Sequence, residues 1–266
     1  MLKINGAIKV FEPGTPSRHV ALDGASLTLN TGDFVTVIGS NGAGKSTLFN
    51  AIAGNFWLDS GRIELDGQDI TYAKEHHRAR HIGRLFQNPA MGTAPDLTIG
   101  ENLALVYAKS TRRFPLAPAM TASDRQYFVD VLARLDMGIE DRMKTNVGQL
   151  SGGQRQAVTL LIATLVPPKL LMLDEHTAAL DPVSAEKVMG LTREITGEHK
   201  LTTLMITHNI AEALKTGNRT IMMHKGKIVM DLAGEERARL TVPELLRRYK
   251  ERVSEELDND RMLLAQ

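Results

Sequence analysis

The sequence predicts an α/β fold in which helices cover both faces of a mainly parallel sheet. A short apolar run at residues 34–38 has the character of a buried strand, and helical spacing follows it at residues 45–53. The same alternation returns with strands at 170–173 and 201–207, separated by a helical stretch at 184–196. Because neighbouring parallel strands need a crossover of this kind, the pattern favours a parallel sheet.

The first part of the chain adds an antiparallel component. Strand patterns at 4–11 and 25–29 are separated by turn residues, and a third strand at 62–65 is bracketed by turns as in a hairpin. The helix at 45–53 is expected to stop at Gly54, because glycine favours the left-handed helix cap. These segments predict an N-terminal antiparallel β subdomain.

Prolines mark a change of character in the middle of the chain. They stand at 89, 95, 115 and 118, among helical patterns at 99–108 and 123–135. The strand and helix pattern resumes with a helix at 155–165 and closes with a hairpin through 221–229. We therefore expect one domain, 1–266, with a core at 1–88 and 155–233, an inserted helical subdomain at 89–154 and a helical tail at 234–266.

The composition is that of an ordinary folded protein. Of the 266 residues, 42% are hydrophobic and 24% are charged, which excludes a disordered or collagen-like chain. The 32 basic and 31 acidic residues nearly balance, whereas a dedicated nucleic-acid binder normally carries a basic excess. Cysteine is absent, so disulfides, thiolate metal sites and cysteine nucleophiles are excluded.

Membrane-spanning and secretory signals are missing from the sequence. No stretch approaches the run of about 18 apolar residues that a spanning helix requires. The first residues lack the apolar centre of a secretory signal. We therefore expect a soluble cytoplasmic chain whose membrane role, if it has one, comes through a partner.

Residues 39–46 give the strongest chemical signal. They match G-x-x-x-x-G-K-[ST] between a predicted strand and a predicted helix, so an incidental glycine-rich turn is the weaker alternative. Glycines let backbone N–H groups wrap around phosphate oxygens, and the helix N-terminus adds its positive end. Lys45 is expected to reach the β- and γ-phosphates and Ser46 to ligate Mg²⁺, as in P-loop NTPases. The predicted phosphate-binding residues are Gly39, Ser40, Asn41, Gly42, Ala43, Gly44, Lys45, Ser46 and Thr47.

Two adjacent carboxylates, Asp174 and Glu175, follow the apolar run at 170–173. Ligands of α/β sheets bind at the carboxyl ends of parallel strands, so acids at that position suit a metal–phosphate site. Asp174 is expected to belong to the Mg²⁺ shell, and Glu175 to polarise the attacking water as a general base. The alternative is an ordinary strand whose acids only begin a loop.

A second glycine-containing turn, Ser151-Gly152-Gly153-Gln154, precedes the helix at 155–165. Serine is a good N-cap and the glycines permit a hinge, so residue chemistry alone predicts a helix cap with room for an anion.

The order of these motifs resembles the ATP-binding cassette (ABC) family, the ATPase subunits of ABC transporters. The family's phosphate loop matches residues 39–46, its signature matches residues 150–154, and its acidic strand end matches Asp174 and Glu175. The resemblance implies a Mg²⁺-dependent ATPase that works as a nucleotide-sandwich dimer. It also implies that the signature turn, comprising Ser151, Gly152, Gly153 and Gln154, acts on the ATP of the other subunit.

The resemblance assigns roles to four further residues. Gln87 matches the glutamine that touches Mg²⁺ or the attacking water, and Asp181 lies in the loop that crosses to the second subunit. His208 matches the histidine that contacts the γ-phosphate, and Phe11 matches the aromatic that stacks on adenine. The residues alone leave open an ordinary loop amide, a loop histidine and a core aromatic.

The resemblance also implies partners and a location. It implies permease subunits in the membrane, an identical or paired second ATPase subunit, a solute-binding protein and no nucleic acid. The chain would then lie on the cytoplasmic face of the inner membrane. An ATPase chain that is separate from the membrane subunits is more similar to importers than to exporters. The sequence of residues 174–181 is similar to that of a group of bacterial importer subunits. Amino acids, aromatic ones included, are the candidate cargo.

Two other classes of function remain alternatives. A soluble ABC ATPase acting on nucleic acid or ribosomes usually carries a coiled-coil insert or two cassettes, and the sequence has neither. A degenerate nucleotide-binding scaffold is disfavoured because Glu175 and His208 are both present. An exporter ATPase is the nearest alternative to the importer.

His176 departs from the family pattern, which usually has proline after the glutamate. Both carboxylates remain, so the departure concerns the rigidity of the loop. His77 and His81 are four residues apart and fit one helix face, but two histidines without a third ligand rarely form a metal site.

The tail carries a helix signal of its own. Thr241 and Glu244 have capping-box spacing. An apolar stripe follows, which predicts packing on the core or, alternatively, a partner surface. Its residues are Leu245, Leu246, Tyr249 and Val253.

Overall fold

The computed structural model describes residues 1–111 and 120–264, and the chain divides into two compact units. The first unit comprises Met1–Ile82 and Thr202–Gln266, and the second comprises Gly83–Leu201. The prolines at 115 and 118, which the sequence places in the inserted helical subdomain, lie outside the described residues. The subdivision into core, helical subdomain and tail stays a prediction.

The described helices and strands alternate along most of the chain. In order they are β1 (Leu2–Phe11), β2 (His19–Leu29), β3 (Phe34–Gly39), α1 (Lys45–Ala53), β4 (Ser60–Leu65), β5 (Gln68–Asp69), α2 (Glu75–Arg78), β6 (Ile82–Leu85), α3 (Ile99–Thr111), α4 (Ala122–Ala133), α5 (Gly152–Thr164), β7 (Leu170–Asp174), α6 (Pro182–Glu198), β8 (Thr203–Ile206), α7 (Ile210–Lys215), β9 (Arg219–His224), β10 (Lys227–Ala233), α8 (Gly234–Ala238) and α9 (Val242–Leu264).

An antiparallel sheet in the first unit confirms the predicted β subdomain. Its strand order is β2-β1-β4-β5, with β1 antiparallel to both β2 and β4. Leu2 lies opposite Leu29 on one side and Leu65 on the other, and all three are buried. Leu2 and Ile4 are buried and Lys3 and Asn5 are exposed, as the period of two requires, and this alternation ends at the register shift that follows Ile4.

A second sheet in the first unit contains the strand that leads to the phosphate loop. Strand β3 is parallel to β8 and β9, and β10 is antiparallel to β9. Helix α1 has the predicted bounds and ends at Gly54, whose φ of 89° gives the left-handed cap and whose N–H donates to Asn50 O. The predicted fold class, with helices on a mainly parallel sheet, is confirmed.

Helices dominate the second unit, where β6 and β7 are neighbouring strands. Helix α4 begins with a reciprocal capping box between Thr121 and Asp124. Helix α5 begins three residues earlier than predicted because Ser151 caps it, and α6 begins at Pro182 rather than at 184.

Some elements differ from the prediction. Strand β6 and helix α7 were not expected, and helix α2 is a single turn that ends at Arg78. The buried Arg78 guanidinium donates to the carbonyls of Ala51 and Ile52 at the end of α1. Because α2 stops there, His81 lies beyond it, and the expected shared helix face of His77 and His81 is wrong.

The tail packs on the first unit. Leu245 is buried and Tyr249 is partly buried against a cluster of apolar residues, whereas Leu246 is exposed. The cluster comprises Ile38, Ala213, Met222, Met230, Leu232 and Leu240. The packing interpretation of the apolar stripe therefore holds for Leu245 and Tyr249.

Across the described residues, each helix is too short or too polar to span a bilayer.

Candidate nucleotide-binding site

The phosphate loop between β3 and α1 needs glycine at two points. Gly39 has a φ of 155° and Gly44 a φ of 99°, both in the region that L side chains avoid. A Cβ on Gly44 would lie 2.5 Å from the Ala21 carbonyl oxygen, and one on Gly39 would lie 2.5 Å from that of Met223. Close backbone approach therefore fixes both glycines of the motif.

The Lys45 side chain folds back on this loop and donates hydrogen bonds to two of the loop's carbonyl groups. Its ammonium donates to Gly39 O at 2.8 Å and to Ser40 O at 3.0 Å, and the residue is buried. A cation held in place by two carbonyl dipoles is oriented for an arriving anion and partly shielded from water. Ser46 is exposed in the first turn of α1, where its hydroxyl is available to a ligand.

Two distant segments of the first unit support the loop. The Gly226 N–H in the β9–β10 turn donates to Ala43 O at 3.0 Å, and the Asp23 N–H in β2 donates to Gly226 O at 3.1 Å. These contacts leave no signal in the sequence, because a hairpin glycine 183 residues beyond Ala43 looks like an ordinary turn residue.

The other predicted residues of the first unit are Phe11 and His208. Phe11 ends β1 and is 38% exposed, so it is not a core aromatic. Its ring packs edge-to-face on Phe56 at 5.4 Å, and the Lys9 ammonium lies 5.6 Å from the ring centre. His208 is exposed after β8, beside Asn209, which caps α7 by accepting from the Glu212 N–H.

Asp174 closes strand β7 in the second unit with its carboxylate next to a cation. Its Oδ2 lies 3.6 Å from an Arg84 guanidinium nitrogen, and that guanidinium lies 4.5 Å from the centre of the Phe86 ring. Sequence reasoning missed Arg84, whose signal is a charged residue between the buried Ile82 and Leu85 of β6. Gln87 follows two residues after this strand and is exposed.

Glu175 stands at a sharp bend directly after β7. Its φ of 48° is left-handed, and its carbonyl accepts from the Ala178 N–H at 2.9 Å to form a turn. The next residue, His176, is only 2% exposed, and burial lowers the pKa of its imidazole from 6.5 to about 4. A neutral ring is therefore buried beside the predicted general base.

The signature turn is a well-formed helix cap. Ser151 Oγ accepts from the Gln154 N–H and Gln154 Oε1 accepts from the Ser151 N–H, both at 3.3 Å. A Cβ on Gly153 would lie 2.7 Å from Ser184 Oγ, so glycine allows α5 and α6 to approach. Ser151 and Gly152 are exposed, which leaves them accessible to a partner.

Asp181 caps helix α6 rather than lying in a free loop. Its carboxylate accepts from the Ser184 N–H at 3.0 Å, and bonds from Ser184 lower the pKa of this carboxyl. The predicted crossing to a second subunit stays a prediction.

The predicted magnesium ligands have the right chemistry for a hard cation. Ser46 offers a hydroxyl, Gln87 an amide oxygen and Asp174 a carboxylate, and Mg²⁺ prefers oxygen ligands with several waters retained. The Arg84 guanidinium lies beside the Asp174 carboxylate, within ion-pair distance. Among residues 1–111 and 120–264, no three histidine or acidic side chains form a metal-binding cluster.

These sites define an ATP-binding cassette, and the comparisons agree. A family model described as ABC transporter matches residues 22–178, so the chain belongs to the ABC transporter family. It is an ATP-binding subunit of this type, and ATP hydrolysis is general to the family.

Two curated relatives match along nearly their whole length. A tyrosine transport ATP-binding protein of Clostridioides difficile (strain R20291) is 39% identical over 250 residues, which cover 94% of this chain and 99% of the relative. A phosphonates import ATP-binding protein, PhnC of Lactococcus lactis subsp. cremoris (strain SK11), is 32% identical and covers 93% of this chain and 99% of the relative.

A solved structure agrees with the fold. The dimeric ATP-binding cassette MJ0796, in a post-hydrolysis state bound to ADP and Pi, superimposes with a TM-score of 0.73 at 28% identity. The match covers 88% of this chain and 98% of that cassette.

Proposed function

We propose that this chain is the Mg²⁺-dependent ATPase of a solute importer and acts in pairs on the cytoplasmic face of the membrane, beneath separate permease subunits. The observation that carries the proposal is the buried Lys45 ammonium, held by two carbonyls inside a phosphate loop of the correct sequence. The importer assignment is supported by relatives named for transport and import that match over nearly their full length.

Each site residue has one task in this proposal. Lys45 and the loop N–H groups bind the β- and γ-phosphates, and Glu175 accepts a proton from the attacking water. His208 and the signature turn of the second subunit contact the γ-phosphate, Asp181 lines the dimer contact, and Phe11 stacks on adenine. Ser46, Gln87 and Asp174 would hold Mg²⁺, which supplies charge neutralisation on the phosphates when it is bound.

The proposed cargo is an aromatic amino acid. Support comes from the tyrosine transport relative, which this chain covers almost completely. The proposed partners are two permease subunits, a second copy or a paired ATPase subunit, and a solute-binding protein that delivers the cargo.

Two measurements test the proposal. Purified chain should release phosphate from ATP with Mg²⁺ and stop when EDTA is added. Cells that lack the gene should take up labelled tyrosine more slowly, and the wild-type gene, but not the Lys45→Ala gene, should restore uptake. Unchanged tyrosine uptake in the deletion strain would refute the cargo, and absent hydrolysis by the dimeric assembly would refute the ATPase.

A further inference from the structure

His176 ties the loop after β7 to the middle of helix α6. Its Nε2 lies 3.1 Å from Thr192 Oγ1, and both residues are buried. Thr192 lies well inside the 17-residue helix Pro182–Glu198, so this contact reaches past the loop to a rigid element.

The direction of this hydrogen bond follows from its other neighbour. Thr192 Oγ1 lies 2.8 Å from the Val188 carbonyl oxygen, which can only accept, so the single hydroxyl proton of Thr192 points to Val188. His176 Nε2 must then carry the proton and donate to Thr192. The imidazole is consequently in its Nε2–H form.

We propose that the His176–Thr192 hydrogen bond positions Glu175, which makes His176 a positioning residue for hydrolysis. This inference rests on the proposed role of Glu175 as general base. It concerns only how the chain holds that carboxylate in place.

The backbone of Glu175 explains why it needs a tether. A left-handed φ of 48° is unfavourable for a glutamate, so the surrounding structure must hold it. The turn bond from Ala178 holds one side of the bend, and the buried imidazole holds the residue directly after Glu175. A general base acts only within hydrogen-bond reach of its proton, so a small rotation here reduces catalysis.

Threonine substitutions in α6 provide a matched test. Thr192→Val keeps the shape but removes the acceptor, whereas Thr192→Ser keeps the acceptor. Thr196→Val is the control, because Thr196 is also buried in α6 and its hydroxyl donates to the Thr192 carbonyl oxygen at 2.7 Å. The control loses the same kind of helix bond without touching His176.

We expect Thr192→Val to lower kcat about tenfold while the Kd for ATP stays within twofold, since the phosphate loop is unchanged. Thr192→Ser and Thr196→Val should stay within twofold of wild type in both quantities. His176→Gln, whose amide N–H replaces the Nε2–H donor, should keep at least a third of the wild-type kcat, whereas His176→Leu should fall about tenfold. Equal kcat for Thr192→Val and Thr196→Val would overturn the proposal.

A spectroscopic measurement on the wild-type chain tests the same hydrogen bond and does not depend on whether the variants fold. In the wild-type chain, ¹⁵N-resolved NMR of the imidazole should show the Nε2–H form of His176, and an Nδ1–H form would overturn the proposal.

A failure of the proposed function can be distinguished from a failure of the positioning role. A wild-type chain without hydrolysis contradicts the proposed function, whereas an active wild type with an equally active Thr192→Val variant contradicts only the positioning role.

Discussion

The phosphate loop and the loop after β7 are both strand-to-helix connections, but different parts of the chain hold them. The phosphate loop is fixed by backbone groups, because Gly39 and Gly44 approach carbonyls closely and Lys45 bonds to loop carbonyls. The loop after β7 also contains a backbone turn, in which the Ala178 N–H donates to the Glu175 carbonyl, but it is anchored to helix α6 by two side chains, the buried His176 and the capping Asp181.

This difference has a consequence for substitution. A loop held by its backbone tolerates substitution only at positions where glycine is not required. Phosphate binding by this loop depends on one cation, the Lys45 ammonium. In a loop held by side chains, one anchoring residue can be replaced by another that makes an equivalent hydrogen bond, while the carboxylates remain. The same contrast predicts which variants remove ligand binding and which remove only hydrolysis.

The largest effect is expected for Lys45→Ala. Removing the ammonium leaves phosphate charge uncompensated, so we expect hydrolysis to be lost together with most of the stabilisation by Mg-ATP. For the wild type, ATP at 100 times its Kd should add about 2.7 kcal/mol to the free energy of unfolding. Thermal unfolding with and without Mg-ATP checks this, and a wild-type shift in the variant would refute the role of Lys45.

The next effect separates hydrolysis from binding. Glu175→Gln keeps the shape of the side chain but removes the base, so hydrolysis should fall by about 10²–10⁴ while ATP binding remains. ATP then persists, and sedimentation should show a monomer without nucleotide and a dimer with ATP, but not with ADP.

A second substitution in the Glu175→Gln background tests the signature turn. Ser151→Arg places a bulky cation at the exposed cap of α5 and should abolish the ATP-dependent dimer while the monomer still binds ATP. An intact dimer in the double variant would contradict action across subunits. If neither chain dimerises alone, the same pair of variants is to be compared in complex with the permease.

The sequence predicted the features that carry their own local pattern, whereas it missed strand β6, helix α7 and the contacts that depend on distant packing. The bounds of α1 followed from local spacing and Gly54, and the motif at 39–46 contains its own geometry. Strand β6 was missed because Gly83 and Arg84 interrupt its apolar pattern. Helix α7 was missed although Asn209 and Glu212 offered a capping signal.

The tether of His176 had no local signal. Its partner Thr192 lies 16 residues later in the chain, and only the packing of α6 brings the two together. The sequence showed an unusual residue at this position without showing what it contacts. The phosphate loop and signature residues, in contrast, were all recognisable from their order.

A smaller effect sharpens the account of the phosphate loop. Gly42 has a φ of 78° with nothing within 4 Å of a Cβ, whereas a Cβ on Gly44 meets the Ala21 carbonyl oxygen. Gly42→Ala should therefore cost about 1–2 kcal/mol from its torsion alone. Gly44→Ala should add a further 1–3 kcal/mol or so from the clash. Urea unfolding measures both, and equal losses would mean that the close approach to Ala21 is unimportant.

An effect of similar size concerns acid and distinguishes the two loops by pH. Burial lowers the pKa of His176 from 6.5 to about 4, so below pH 6.5 the unfolded chain binds a proton that the folded ring does not. The contribution of this residue to stability is thus full above pH 6.5 and is lost as the pH falls towards 4. Between pH 7 and pH 5 the loss should be about 2 kcal/mol. His176→Gln should remove that part of the pH dependence, whereas Gly42→Ala, in the loop that the backbone holds, should keep it. Urea unfolding at the two pH values decides the matter, because parallel losses in wild type and His176→Gln would mean that the ring is not buried in its neutral form.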